Sequence, residues 1–228
     1  MKIKNNEDLQ YDFYHDQFVS MINSQAFPCI GAKVSIQKKV YTYKLYNEMC
    51  CDISTKEVLQ DVYQFIAENI NNKTIPYKTF VASFKLPIAV DEDNFEKILW
   101  QQLQMLHNLD SKNYDWDQKV SNDVYSNEFS FSLGEHSFFI AGLCPGNRNI
   151  SRRFILPTLV FNLHEQFDYL RENNKFAPMR NAIRKRNSLL QPDLLSHADD
   201  FGNSPESKQY SGKFHTGEWI CPFIANKK

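Results

Sequence analysis

The chain has 228 residues, 42% of them hydrophobic and 14% aromatic, with a formal net charge of -1. It can therefore bury a substantial core, and it lacks the basic balance of a nucleic-acid binder. No apolar run reaches the roughly 18 residues that span a bilayer, and the N-terminal MKIKNNEDLQ lacks the apolar region of a signal peptide, which predicts a soluble cytoplasmic protein with no membrane partner.

From Glu7 to Ser24 the residues Leu9, Phe13, Phe18, Met21 and Ile22 recur at helical spacing, predicting an amphipathic helix that stops before Pro28. Cys29 falls in the extended or turn segment that follows. Lys39 to Met49 alternates aromatic with polar and β-branched residues and reads as a strand. Asp52 to Thr55 supplies cap chemistry for a helix from Lys56 to Asn69, and Thr79 to Leu86 is a short buried strand bounded by Pro76 and Pro87. Asp91 opens a third helix with acidic residues in its first turn, favourable to the helix dipole. Phe95, Leu99, Trp100, Leu103, Leu106 and His107 share one broad face of it. His107 thus projects among apolar neighbours, and Asp110 is placed to orient its imidazole.

The stretch that organises the chain runs from Glu128 to Arg171. Phe129, Phe131 and Leu133 alternate with polar residues, Gly134-Glu135 offers a tight turn, and Phe138 to Leu143 is continuously apolar, which together read as a β-hairpin. Thr158 to Phe161 is a third strand. Between the second and third strands the loop CPGNRNISRR presents Cys144, Arg148, Arg152 and Arg153 where rigid structure ends, a common location for chemistry. Asn162 and His164 open a further helix, and Phe176 to Leu190 forms another. The tail from Leu194, which contains HADDFG, is mostly irregular, but Trp219, Cys221 and Phe223 make it apolar enough to pack back on the domain. With no Ser/Gly-rich linker and no internal repeat, the expected fold is a single α+β domain over residues 1–228. It holds a mostly antiparallel sheet with a central hairpin, flanked by about five helices.

The five cysteines are expected to be reduced, and their spacing contains no paired C-x-x-C zinc framework. Three of them adjoin proline, in Pro28-Cys29, Cys144-Pro145 and Cys221-Pro222. Proline fixes the backbone beside a thiol, and Arg148, Arg152 and Arg153 favour a thiolate, a soft ligand suited to haem iron. Buried small residues are the competing structural reading of each cysteine. Cys29, His164 and Asn162 are also the residue types of a cysteine protease, without the local context of any such family. No P-loop, G-x-G-x-x-G or H-E-x-x-H occurs, and the basic run Arg180, Arg184, Lys185, Arg186 reads as a solvated helix face.

The blocks FPCIGA (27–32), LWQQLQMLHNLD (99–110), FSFSLGEHSFFIAGLCPGNRNISRRF (129–154), LVFNLHEQF (159–167), QYSG (209–212) and WICPF (219–223) together resemble the YqcI/YcgG family over nearly the whole chain. The resemblance implies a haem-dependent N-hydroxylase with haem b as cofactor. It would use dioxygen or peroxide, with an electron donor where dioxygen is the oxidant, on a guanidine or amine nitrogen of a small amino-acid-like substrate. A haem-binding or sensing protein without turnover is the alternative. Where relatives often have His-Pro, this chain has Cys144-Pro145, which makes Cys144 the first candidate for the axial iron ligand and His107 the alternative. His164, with Asn162, is a candidate for the distal, catalytic side. Arg148, Arg152 and Arg153 are candidates for pairing with haem propionates or a substrate carboxylate.

Overall fold

Short polar side chains cap two of the helices. In the computed structural model, which describes residues 5–71, 76–192, 205–215 and 218–226, Asn5 and Asp8 form a capping box at the head of α1 (Asn6–Asn23). Asp91 accepts the Asn94 N–H and starts α4 (Glu92–Asp110). The remaining elements are α2 (Ile30–Lys38), β1 (Tyr41–Glu48), α3 (Asp52–Asn69), β2 (Thr79–Leu86), β3 (Phe131–Leu133), β4 (His136–Leu143), β5 (Thr158–Leu163), α5 (Glu165–Glu172) and α6 (Phe176–Leu190).

The five strands form one sheet in the order β1-β2-β5-β4-β3. Only β1 and β2 run parallel; the other three pairings are antiparallel, so the mostly antiparallel α+β expectation holds, but the expected hairpin, β3-β4, lies at the edge of the sheet and not at its centre. Strand alternation sends successive side chains to opposite faces. One face carries Tyr46, Phe80, Phe84, Phe138, Ile140 and Phe161 and packs against Val62 and Phe65 of α3 and Phe95, Leu99 and Leu103 of α4. The other carries Tyr43, Val81 and Leu143 and packs against Phe18 and Ile22 of α1 and Phe154. Two helical layers thus sandwich the sheet, and the second, thinner layer leaves room for a cleft.

Two local expectations are corrected. Residues 30–38 form a helix where the sequence predicts none; Ile30, Val34 and Ile36 lower its propensity, but it is held by a Cys29 cap and by packing against α1 and α6. Asn162 does not open a helix. It pairs with Thr79 and Phe139 within the sheet, and α5 starts after His164. The tail does pack back: Tyr210, Cys221 and Phe223 are buried, and the Tyr210 hydroxyl takes the Phe131 N–H and donates to the Phe138 carbonyl. HADDFG lies outside the described residues.

Candidate functional site

The loop after β4 is tied into a closed turn. The Cys144 N–H donates to the Arg152 carbonyl at 3.0 Å, and the Phe154 N–H returns to the Cys144 carbonyl at 3.4 Å. Gly146 is needed at its base, where a Cβ would stand 2.6 Å from Asp91 Cα. This closure directs Arg152 toward the second face of the sheet and turns Cys144 the other way. Cys144 is fully buried in the core beneath α4. Burial pushes its thiol up to about 11, helped by the Glu92 charge, while hydrogen bonding from Gly146 and Asn147 opposes the rise. The expected low-pKa thiol is therefore not formed, because the arginines of the loop do not govern its field.

On the second face lies a cleft of about 400 Å³, within the usual range of about 300–1,000 Å³ for ligand sites. Its floor is sheet, with Val81, Phe139, Ala141 and Val160, and its walls come from α2 and α6, with Ile36, Met179 and Ile183 among them. Cys29 faces this cleft. Its Sγ caps α2, taking the Ala32 N–H at 3.4 Å. Burial raises the Cys29 pKa, and the Ala32 N–H, the Arg152 charge and the Gly31 N–H pull in the opposite direction. Among the described residues that line the cleft there is no histidine and no other cysteine.

Arg152 also lines the cleft. Its guanidinium donates to the Gly142 carbonyl at 3.3 Å and has no ion pair among the described residues. Burial draws its pKa down to about 10, partly opposed by the neighbouring Cys29, which marks a cation lacking an anionic partner. Arg148 reaches the rim with its side chain 79% exposed and pairs with Glu92 at 3.5 Å. Arg153 does not join them: its Nε donates to the Asn147 carbonyl, outside the cleft lining.

The other predicted residues are separated from this group or committed within the fold. Asn162 lines the cleft floor, but its carboxamide accepts from Thr79 Oγ1 and donates to the Phe139 and Val160 carbonyls. His164 is buried outside the cleft lining, 3.6 Å from Glu206 and 3.9 Å from Asp168. Burial lowers its pKa, but hydrogen bonding and charge from these two carboxylates prevail and push it up to about 9. His107 lies beside a separate hollow of about 320 Å³ on the opposite side of the sheet. Its Nε2 accepts the Asn226 N–H at 2.9 Å, and burial lowers its pKa. Asp110 does not serve as its orienting partner; it accepts the Tyr63 hydroxyl at 2.6 Å and the Gly134 N–H at 2.9 Å.

Residues 18–224 match the model of the YqcI/YcgG family. The chain belongs to that family. No curated protein and no solved structure matches it. For this YqcI/YcgG protein, then, the cleft with Cys29 and Arg152 is the candidate site. Sequence reasoning named Arg148 and Arg152, but it weighed Cys29 only as one of three proline-flanked thiols and put the axial ligand at Cys144 or His107. The signal was present in the Pro28-Cys29 junction and became decisive only with the folding of α2. No described helix is long and apolar enough to cross a membrane.

Proposed function

We propose that this protein is a haem-dependent N-oxygenase that works in the cleft between the sheet and α2 and α6. One observation carries the reading: a thiol at a helix N-terminus and an arginine without an anionic partner meet in an apolar cleft of ligand size. Among the described residues no group of three or more His, Cys, Asp or Glu could hold a metal ion directly. A metal held by a macrocycle needs only one axial donor from the chain.

Cys29 fits that role better than Cys144 or His107, which face away from the cleft. The α2 dipole, the Ala32 N–H and Arg152 all favour its thiolate against the effect of burial, so Cys29 would hold the iron of a bound haem through its sulfur. Arg152 and Arg148 are placed for a propionate or a substrate carboxylate, since guanidinium binds carboxylates through paired hydrogen bonds. The apolar walls exclude water from the reacting nitrogen.

When bound, haem iron supplies activation of dioxygen or peroxide. The reaction balances as N–H plus H₂O₂ giving N–OH plus H₂O, or as N–H plus O₂, two electrons and two protons giving the same products, the electrons coming from an external donor. Protein expressed with a haem supply is expected to show a Soret band and to consume oxidant in proportion to an added guanidine-bearing amino acid. A protein that takes up no hemin sinks the cofactor reading. One that binds hemin but consumes no oxidant with such substrates is a haem-binding protein without turnover.

A further inference from the structure

Buried polar atoms in folded proteins nearly always have partners, and the rare exceptions in a cleft mark where a ligand supplies them. Three residues that line this cleft carry such atoms: Ser35 Oγ, Gln166 Oε1 and Glu206 Oε2 have no hydrogen-bond partner among the described residues. Glu206 is only 5% exposed. Its Oε1 faces the His164 imidazole at 3.6 Å, which leaves the second oxygen of a carboxylate able to accept about four hydrogen bonds with none. Gln166 lies two residues after His164, in the first turn of α5. Glu206 and Gln166 offer acceptors, so what they lack is a group rich in N–H donors; the Ser35 hydroxyl can donate or accept.

The same cleft holds the opposite demand. Arg152 is a cation with no anionic partner among the described residues, beside Cys29. The other carboxylate of the lining, Glu92, is taken up by Arg148. A ligand that meets both needs has a carboxylate toward Arg152 and a cationic, multi-donor head toward Glu206.

We propose that Glu206, assisted by Gln166, is the specificity-determining acceptor for the cationic head of a zwitterionic, amino-acid-like substrate whose carboxylate faces Arg152. This rests on the cleft being the substrate site of the oxygenase proposed above. It adds the residue that selects a guanidinium or ammonium over a neutral group of the same shape. Glu206 sets binding and orientation and takes no part in bond making.

The test is titration calorimetry on full-length wild type, Glu206→Gln and Glu206→Asp. The probes are L-arginine, its neutral isostere L-citrulline, and agmatine, which lacks the carboxylate. Wild type is expected to bind arginine about 10- to 100-fold more tightly than citrulline, the worth of one charge-assisted hydrogen bond. Glu206→Gln is expected to abolish that preference, and Glu206→Asp to retain part of it. Agmatine binding is expected to remain sensitive to Glu206→Gln.

Equal binding of arginine and citrulline to wild type overturns the proposal without any variant, as does an absence of measurable binding by arginine and agmatine alike. A Glu206→Gln protein that melts as a folded domain and keeps the wild-type preference also overturns it. Hemin titration of the same preparations separates this from the cofactor reading. Loss of hemin uptake with an intact Glu206-dependent preference rejects haem and supports the acceptor site; normal hemin uptake with no such preference does the reverse.

Discussion

Replacing Arg152 with methionine is expected to make the ligand-free protein more stable while weakening its substrate binding. The fall of the Arg152 pKa to about 10 corresponds to roughly 3 kcal/mol of unfavourable burial. The side chain keeps some solvent contact, so about 1–2 kcal/mol of that survives screening. Its long bond to the Gly142 carbonyl, 3.3 Å, offsets about 0.5–1 kcal/mol. Methionine retains much of the stem's packing without the charge. The balance is a gain of about 0.5–1 kcal/mol, or a rise of about 1–4 °C in Tm for a chain of this size. L-arginine affinity moves the other way, by about 10- to 100-fold, because a charge-assisted contact to its carboxylate is lost. Thermal unfolding by circular dichroism and titration calorimetry with L-arginine read the two effects. A Tm lowered by more than about 4 °C together with unchanged L-arginine affinity would refute the reasoning, since Arg152 would then be a structural residue.

Three further outcomes follow from the same geometry. Cys144→Ala is expected to cost about 1–2 kcal/mol in denaturant unfolding, from a small core cavity, and to leave the spectrum of hemin-loaded protein unchanged; a lost Soret band would restore Cys144 as ligand. His164 has a folded pKa of about 9 against 6.5 when unfolded, so its contribution is complete below pH 6.5 and lost as pH rises toward 9. Stability should drop by on the order of 2 kcal/mol across that window, allowing for the half-exposed Asp168, and the drop should be absent in His164→Gln. Gly146→Ala places a Cβ 2.6 Å from backbone at Asp91 and should destabilise by about 2–3 kcal/mol; a neutral effect would mean that the closed turn is looser than described.

The strands were readable because alternation and turn chemistry are local. Phe131, Leu133, Phe138 and Ile140 point into one core because Gly134 and Glu135 both adopt left-handed backbone in the turn between them. The α4 face was legible for the same reason, and His107 was rightly placed among aromatic residues. The cleft was not legible, because it exists only where α2, β4, β5 and α6 meet. The sequence shows Arg148, Arg152 and Arg153 as one cluster, yet loop closure sends Arg152 to the cleft, leaves Arg148 at its rim and ties Arg153 back to Asn147. Proximity along the chain suggested that the guanidinium groups act on Cys144, whereas in space the charge beside Arg152 is Cys29. Glu206 was invisible for a related reason, since its burial against His164 depends on the tail folding back.

The ferrous carbonyl spectrum of hemin-loaded protein tests the central claim most directly. With Cys29 as a thiolate ligand, wild type, Cys144→Ala and His107→Ala are expected to show a strongly red-shifted Soret band, and Cys29→Ser an unshifted one. A band that is unaffected by Cys29→Ser but changed by Cys144→Ala or His107→Ala would contradict the account.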